Sequence, residues 1–345
     1  MAIVKFGDIV RDVKINVDRA NNPYEHYVAG DHMDSEDLTI HRYGSFETDD
    51  VGPAFTRIFK PGQILYGSRR TYLKKVAVAD FEGICANTTF VLESKDYSLF
   101  DNRLLPFIML SDAFTRWSIA HSKGSTNPYV LFSDLADYEF DLPPIAEQKV
   151  LADKLWAAYR LKESYKKLLT ATEEMVKSQF IEMFGDQDTN DKQWTESLVK
   201  DEFKLSMGKT PARRNPECWE NGTHRWISIS DMATYMRYTG DTSEYITDYA
   251  ITDSGIKVVP KGTIIMSFKL SIGRTAITSE DIYTNEAIMA FADFDEKKFN
   301  IDFLHFLVAN KNWLFGAKQA VKGQTLNKEY IGNAKIIIPP IEMQE

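Results

Sequence analysis

The chain of 345 residues carries 41 lysines and arginines against 50 aspartates and glutamates, a net charge of −9. This balance disfavours a protein that coats nucleic acid through bulk charge, but it is compatible with local basic groups. The two cysteines, Cys85 and Cys218, exclude a disulfide scaffold or a cysteine-built zinc site and suit a cytoplasmic location. No apolar run approaches the roughly 18 residues of a membrane span, and the N-terminus carries no signal-peptide pattern.

Self-similarity is the main feature of the sequence. Short segments recur in the same order about 200 residues apart. Three of these pairs are Gly62 with Gly262, Lys123-Gly124-Ser125-Thr126 with Lys322-Gly323-Gln324-Thr325, and Leu142-Pro143-Pro144-Ile145 with Ile338-Pro339-Pro340-Ile341. Such order and spacing indicate a duplication, although recurring strand and turn punctuation is the alternative.

Each copy predicts the same series of elements. Runs of β-branched and aromatic residues predict strands at 63–66, 76–78 and 89–92 in the first copy, and at 263–267, 275–278 and 287–291 in the second. Helices are predicted near 99–121 and 301–319, and final strands at 138–142 and 335–338. The sequence therefore predicts an α+β protein with two similar mixed α/β domains.

A long helix is predicted between the copies. Residues 145–184 contain no glycine or proline, and Gly185 can end the helix. Small or apolar residues recur at steps of three and four, which predicts a coiled-coil-type seam that needs a partner. The seam comprises Leu151, Leu155, Ala158, Leu161, Tyr165, Leu168, Thr172 and Met175. The alternative is a core helix of a single globular domain, but about 40 residues at 1.5 Å each give a rod of roughly 60 Å, which favours a spacer.

The predicted domains follow from this division. The first domain covers 1–143, the spacer helix 144–186, the second domain 187–338, and the start of a second spacer 339–345.

Two kinds of loop recur with cationic and hydrogen-bonding side chains, the residue types that contact phosphates and base edges. A third loop of this type precedes the strands of the second copy. The candidate DNA-binding residues are Ser68, Arg69, Arg70, Lys74, Lys123, Ser125, Thr126, Asn127, Lys209, Thr210, Arg213, Arg214, Ser267, Lys269, Arg274, Lys322 and Gln324. For any single one of them, a solvated surface residue is the plainer interpretation.

Catalytic and cofactor motifs are weak in this sequence. Gly208-Lys209-Thr210 resembles the end of a phosphate-binding loop, but Phe203 stands where that loop needs a glycine. Asp80 with Glu93-Ser94-Lys95 has only the loose spacing of a metal-dependent nuclease. The six histidines are scattered along the chain. We therefore predict no catalytic residues, no metal ligands and no cofactor in this chain.

Several of these segments together resemble the specificity subunit of type I restriction-modification enzymes. They are Leu142-Pro143-Pro144-Ile145-Ala146-Glu147-Gln148-Lys149 at the helix entry, Gly208-Lys209-Thr210-Pro211, Trp219-Glu220-Asn221-Gly222, Trp226-Ile227, Asp231, and Ile338-Pro339-Pro340-Ile341-Glu342-Met343-Gln344. The resemblance extends over nearly the whole chain.

The resemblance implies that two target-recognition domains each read one half of a bipartite double-stranded DNA site. It also implies that methyltransferase subunits dock on the spacers and bring S-adenosylmethionine. A separate restriction subunit, a motor and nuclease, would bring ATP hydrolysis and Mg²⁺. Family members usually continue into a second long helix, whereas this sequence ends at Glu345. We therefore expect the seam to pair with another chain: a second copy, a separately made fragment or a methyltransferase subunit.

Two other interpretations stay open. One is a fragment of a fused restriction or modification enzyme with its own catalysis. The other is a protein-interaction scaffold without a DNA role.

Overall fold

The computed structural model describes residues 2–269, 271–314 and 326–345. The chain consists of two compact units, Met1–Lys167 and Leu168–Glu345, called here the first and second units. The boundary lies inside the predicted long helix, because its beginning packs on the first unit and its end on the second.

The first unit opens with short strands and closes with helices. Its elements are β1 (Ala2–Lys5), α1 (Phe6–Ile9), β2 (Val10–Asp12), β3 (His26–Val28), β4 (Gly44–Ser45), β5 (Phe55–Phe59), β6 (Ile64–Gly67), β7 (Val76–Val78), β8 (Gly83–Ala86), β9 (Thr89–Ser94), α2 (Leu105–Leu110), α3 (Asp112–Ala120), α4 (Phe132–Ala136) and β10 (Glu139–Leu142). Short 3₁₀ helices cover Arg19–Asn21, Thr71–Leu73 and Asn102–Leu104. The long helix α5 (Ile145–Phe184) follows.

The second unit follows a similar order, with two additional short helices among its strands and, within the described residues, no counterpart of β5. Its elements are β11 (Thr195–Leu198), α6 (Val199–Glu202), β12 (Lys204–Met207), β13 (His224–Ile227), α7 (Ile229–Met232), β14 (Glu244–Ile246), α8 (Asp248–Ser254), β15 (Ile264–Ser267), β16 (Thr275–Ile277), β17 (Tyr283–Thr284), β18 (Ile288–Ala292), α9 (Ile301–Asn310), α10 (Lys328–Gly332), β19 (Lys335–Ile338) and α11 (Ile341–Gln344). A 3₁₀ helix covers Pro216–Cys218.

The main sheets of the two units have matching topology, whereas the second sheet has four strands, β4-β3-β8-β5, in the first unit and three, β14-β13-β17, in the second. A four-stranded antiparallel sheet has the order β2-β9-β6-β7 in the first unit and β12-β18-β15-β16 in the second. A second sheet contains one parallel pair in each unit, β3 with β8 and β13 with β17. The first strand of each unit pairs with its last, β1 with β10 and β11 with β19. The predicted duplication is confirmed.

The central strands of each unit bury both faces. Ile64 and Tyr66 of β6 enter one apolar core, while Leu65 enters another. In β15, Ile264 and Ile265 divide between two cores in the same way. Successive side chains of a strand point to opposite faces, so a continuous apolar run can supply two cores at once.

In each unit a buried glutamine makes the same set of hydrogen bonds to backbone groups. The Gln148 amide nitrogen donates to the Leu99 carbonyl at 3.0 Å and to the Pro143 carbonyl at 2.8 Å. Its oxygen accepts from the Asp101 backbone nitrogen at 2.9 Å. Gln148 thus ties the start of α5 to the loop that follows β9.

Gln344 makes the same three bonds in the second unit. It donates to the carbonyls of Lys298 and Pro339, at 2.9 and 2.7 Å, and accepts from the Asn300 nitrogen at 2.9 Å. The repeated Pro-Pro segment is therefore part of a repeated structural joint.

The helix predicted at 99–121 is broken, and that prediction is corrected. Ser111 adopts an extended backbone with ψ of 148°, and its hydroxyl accepts from the Phe114 nitrogen at 3.2 Å. Ser111 therefore ends α2 and caps α3. In the second unit α9 ends at Asn310, where Lys311 is extended, and residues 315–319 of the predicted helix lie outside the described residues.

The predicted long helix is confirmed as α5, with 40 residues. Leu155 and Trp156 pack against the first unit's core, and Phe180 and Phe184 belong to the second unit's core. No helix within the described residues is long and apolar enough to cross a membrane.

Candidate nucleic-acid interface

Two predicted loops of the first unit form one surface. Arg69 and Lys123 each form a backbone bridge with Tyr129, and the Lys123 nitrogen donates to the Tyr129 carbonyl at 2.7 Å. The Arg70 nitrogen donates to the Pro128 carbonyl, also at 2.7 Å. We call residues 68–74 and 122–130 together the first-unit loop surface. Sequence spacing alone gave no sign of this pairing.

The arginines of this surface are exposed. The Arg69 guanidinium lies 5.9 Å from the ring centroid of Tyr129, within reach of a cation–π contact. Arg69, Arg70 and the segment 125–127, which holds the predicted Ser125, Thr126 and Asn127, are all exposed. The surface therefore presents two guanidinium groups beside polar side chains that can donate and accept hydrogen bonds.

The lysines of the same surface are held by carboxylates. Lys74 Nζ lies 2.9 Å from Glu36 and 3.0 Å from Asp112, and its side chain is mostly buried. The hydrogen bond to Glu36, with that to Asp112, raises the pKa of Lys74 above its ordinary value. Lys123 pairs with Asp134 at 3.0 Å. Lys74 thus anchors its loop, and a phosphate would have to compete with these carboxylates.

The backbone of this loop is unusual. Arg70 and Lys74 have φ values of 50° and 48°. These values lie in the left-handed region that residues other than glycine rarely adopt. Between them, Thr71–Leu73 forms a single 3₁₀ turn. Tyr72, at the middle of that turn, is 54% exposed. Tyr72 and Tyr129 are aromatic candidates that the sequence analysis missed, because neither belongs to a recurring motif.

Ser68 and Ser267 are buried, and their hydroxyl groups bond to backbone carbonyl groups within the protein. They are 5% and 0% exposed. The Ser68 hydroxyl donates to the Thr88 carbonyl at 2.5 Å, and the Ser267 hydroxyl donates to the Ser271 carbonyl. In this arrangement neither hydroxyl faces solvent.

The second unit holds its Gly-Lys-Thr segment close to β17. A Cβ atom on Gly208 would lie 1.8 Å from the Thr284 carbonyl oxygen, so only glycine fits. The Lys209 backbone nitrogen donates to that carbonyl at 2.9 Å, and Lys209 Nζ donates to the Ser254 carbonyl at 2.8 Å. Gly208 is therefore a close-packing residue, and both nitrogen donors of Lys209 are used in contacts within the protein.

Glu286 joins two predicted loops of the second unit. Burial raises the pKa of Glu286, but the hydrogen bond from Thr210 and the charges of Lys269 and Arg213 outweigh it, and the net pKa is lowered. The segments 209–214 and 267–269 are therefore neighbours, and we call them, together with 271–274, the second-unit loop surface.

Arg213 lies against two indole rings that are themselves in edge-to-face contact. Its guanidinium carbon lies 4.3 Å from the Trp219 ring centroid and 4.6 Å from that of Trp226, and it forms an ion pair with Glu244. Such stacking fixes the guanidinium plane. Arg213 and the neighbouring Arg214 are both exposed, but Arg213 is held by these ring and ion-pair contacts.

The remaining candidates complete the second-unit loop surface. Lys269 Nζ lies 5.4 Å from the Phe268 ring centroid, and Arg274 is exposed. Lys322 and Gln324 lie outside the described residues.

Glu93 and Lys95, which belong to the loose nuclease pattern, make contacts with other parts of the first unit. Glu93 accepts from Arg11 Nε at 2.8 Å and from the Gln63 amide at 2.7 Å. The Lys95 ammonium donates to the Gly7 carbonyl.

The seam of α5 is exposed along the middle of the helix. Leu161, Tyr165, Leu168 and Met175 are 57%, 64%, 61% and 60% exposed. Leu155 is the exception, since it packs on the first unit's own core. Leu151 is 44% exposed, and Ala158 and Thr172 are also exposed.

Comparison with known families decides the relationship. The model of the type I restriction modification DNA specificity domain matches residues 22–173 and again 191–345. The chain belongs to this family. It contains two copies of the specificity domain, as the internal repeat predicted.

Curated relatives match over parts of their length. The MjaIX specificity subunit of Methanocaldococcus jannaschii is 31% identical over 96 residues, 28% of this chain and 22% of that protein. The EcoDI specificity subunit of Escherichia coli is 29% identical over 148 residues, 43% of this chain and 32% of that protein. The chain thus spans at most a third of these relatives in the matched regions.

Solved structures share the fold. The S subunit of a type I restriction-modification system from M. genitalium matches 99% of this chain and 86% of its own, with 13% identity and a TM-score of 0.53. A structure reported on complex assembly of the type I R-M system covers 99% and 87%, with 18% identity and a TM-score of 0.50. The predicted fold class, two mixed α/β specificity domains separated by a long helix, is confirmed.

Proposed function

We propose that this chain is the DNA sequence-specificity subunit of a type I restriction-modification complex, in which each specificity domain reads one half of a bipartite double-stranded DNA site. The observation that carries the proposal is the repeated sheet, β2-β9-β6-β7 and β12-β18-β15-β16. In the first copy the hairpin of β6 and β7 carries a cationic loop with Arg69 and Arg70. In the second copy the hairpin of β15 and β16 carries one with Lys269 and Arg274.

The two loop surfaces differ in detail, and this supports different half-sites. The first-unit loop surface offers two exposed arginines beside Tyr72 and Tyr129. The second-unit loop surface combines an arginine held against two tryptophan rings and paired with Glu244 with a further carboxylate, Glu286, that accepts a hydrogen bond from Thr210. Arginine reads guanine edges in a bidentate way and also contacts phosphates, so both surfaces carry suitable chemistry.

The partners follow from the same proposal. Methyltransferase subunits would dock on the exposed seam of α5 and bind S-adenosylmethionine, and a restriction subunit would bind ATP and Mg²⁺. The apolar stripe of Leu161, Tyr165 and Leu168 supports docking, because an exposed stripe at coiled-coil spacing gains by burial. This chain would supply recognition without catalysis of its own.

Methylation profiling tests the proposal. Genomic DNA from cells with and without this gene is compared for methylated motifs, and a bipartite motif that depends on the gene is expected. Arg69→Ala with Arg70→Ala should alter one half of the motif, and Lys269→Ala with Arg274→Ala the other half. The exposed Lys60→Ala and Lys257→Ala serve as matched controls and should leave both halves unchanged.

Three results would count against the proposal. No gene-dependent motif would contradict a specificity role. A motif whose two halves change together with either pair of substitutions would contradict separate reading by the two domains. Mg²⁺-dependent cleavage of DNA by the purified chain alone would instead favour a fused enzyme fragment.

A further inference from the structure

Three potential metal ligands from distant parts of the sequence meet in the first unit. Asp37 and His41 lie between β3 and β4, and Glu163 lies in α5. His41 Nε2 is 3.4 Å from Asp37 Oδ2 and 4.0 Å from Glu163 Oε2. One donor atom from each side chain lies within 4.8 Å of the other two, and no other three such side chains are grouped this closely among the described residues.

The spacing suits a small divalent cation. Zinc bonds to histidine nitrogen and carboxylate oxygen at about 2.0–2.2 Å, so neighbouring ligands of a tetrahedral site lie roughly 3.3–3.5 Å apart. The Asp37–His41 separation already has this value. The Glu163 carboxylate must move about 1 Å closer to the other two ligands, and a rotation of its long side chain supplies this movement.

Other groups orient the Asp37 carboxylate. The Tyr159 hydroxyl donates to Asp37 Oδ1 at 2.6 Å, and the Thr39 backbone nitrogen donates to the same oxygen at 3.0 Å. Burial raises the pKa of Asp37, but these hydrogen bonds and the Lys166 ammonium outweigh it and lower the pKa, so the carboxylate is ionised. Oxygen Oδ2 is left facing His41. Such outer hydrogen bonds are the usual support of metal-binding carboxylates.

The ammonium group of Lys166 lies between the Asp37 and Glu163 carboxylates. Lys166 Nζ is 2.9 Å from Asp37 Oδ2 and 3.2 Å from Glu163 Oε1. Glu163 Oε1 is buried and has this ion pair but no well-aligned hydrogen bond. The Lys166 side chain is 50% exposed, so it can turn to solvent when another cation takes its place.

We propose that Asp37, His41 and Glu163 form a binding site for a zinc-class divalent cation, in competition with the Lys166 ammonium. A bound ion would connect the β3–β4 segment to α5 by coordination bonds. No metal ligands were predicted from the sequence, because His41 and Glu163 are 122 positions apart (163 − 41) and the group has no local spacing.

Titration of the purified full chain with ZnCl₂ tests the site. Calorimetry should show one equivalent of bound zinc. His41→Gln and Glu163→Gln should each weaken it by at least about tenfold, since even outer-partner losses cost 10–100-fold. His224→Gln is the matched control, because His224 also lies beside a carboxylate, Asp248 at 2.8 Å, but forms no three-ligand group with any other residue that the structure describes.

A second variant separates a metal site from a plain ion-pair cluster. Lys166→Met removes the competing cation and should tighten zinc binding several-fold, whereas a cluster that merely needs Lys166 for charge balance would bind no better. The half-exposed position of Lys166 makes loss of folding a small risk, and circular dichroism checks it. With CoCl₂, the visible absorption should appear in the wild type and in Lys166→Met, and should be lost in His41→Gln.

Three outcomes would overturn the proposal. They are no equivalent of bound zinc in the wild type, equal binding in His41→Gln, Glu163→Gln and His224→Gln, or unchanged binding in Lys166→Met. Because no DNA is present, failure here leaves the proposed recognition function untouched.

Discussion

Gln148 and Gln344 show how a single side chain can fix the entry of a helix. Each makes three hydrogen bonds to backbone groups, and Gln148 is only 1% exposed. Gln148→Leu keeps the approximate volume but leaves one N–H and two carbonyl groups without that partner. Unsatisfied buried groups cost about 1–3 kcal/mol each, so we expect the free energy of unfolding to fall by about 3 kcal/mol.

Urea denaturation of the full chain measures this change. Gln179→Leu, at an exposed position of the same helix, is the control and should stay within about 0.5 kcal/mol of the wild type. Equal losses in the two variants would contradict the assigned role of Gln148.

Asp231 gives the second unit a defined response to acid. Its Oδ2 accepts from the Ser228 nitrogen at 2.8 Å and the Ser228 hydroxyl at 2.7 Å, and its Oδ1 accepts from the Ser243 nitrogen at 3.0 Å. Burial raises the pKa of Asp231, but these hydrogen bonds outweigh it and lower the pKa below its ordinary value. A lowered folded-state pKa means that the stabilisation is present above the unfolded pKa of about 3.9 and is lost as pH falls.

We therefore expect Asp231→Asn to destabilise the protein at pH 7, by about 1.5–3 kcal/mol, the usual contribution of hydrogen bonds to a charged group. Between roughly pH 5 and pH 3 the difference from the wild type should shrink. Thermal unfolding at several pH values tests this, with the exposed Asp253→Asn as control. A difference that grows towards acid would show that the sign is wrong.

At the scale of elements, the sequence predicted the strands and the long helix α5 better than the limits of the helices near 99–121 and 301–319. β7 and β19 have the predicted bounds, and β6 and β15 begin within one residue of them, because apolar runs between turn residues mark such strands. The parallel pair of β3 with β8 was missed, since His26–Val28 is short and pairs with a segment far along the chain. The break at Ser111 was missed because its capping bond competes with a helical pattern that continues across it.

The candidate loops were predictable as cationic segments, but their packing was not. The pairing of Arg69 with Tyr129 and the stacking of Arg213 depend on tertiary contacts. The same reason hid the internal hydrogen bonds of Ser68 and Ser267.

The seam of α5 leads to a prediction at this scale. Leu161 and Leu168 lie seven residues apart on one face and are mostly exposed, so replacing both with lysine should change the free energy of unfolding by less than about 0.5 kcal/mol. The double variant should lose association with a methyltransferase subunit or with a second copy, because the buried apolar stripe of the complex would receive two unpaired charges.

Light scattering and co-purification with a methyltransferase subunit measure this association. Glu174→Lys, exposed on the same helix, controls for added positive charge. Unchanged association of the double variant would place the contact elsewhere.

For the whole molecule, the electrostatics combine a net charge of −9 with two local cationic surfaces. An acidic protein gains little from bulk attraction to DNA, so its phosphate contacts must come from few residues. Each phosphate neutralised releases counterions and contributes about −0.9 to the slope of log K against log salt for duplex DNA. The slope therefore counts the contacts that the loop surfaces make.

Arg69→Ala with Arg70→Ala should lower the magnitude of that slope by about 1 for each arginine that contacts a phosphate, and should weaken binding to all duplexes if both contacts are to the backbone. Reduced affinity for the cognate duplex with an unchanged slope would instead assign the arginines to base edges. Fluorescence anisotropy between low and physiological salt distinguishes the two cases. Lys60→Ala removes a charge at the other end of the β6 strand and should change neither the affinity nor the slope. A slope that falls equally in this control would mean that binding depends on overall charge rather than on the first-unit loop surface.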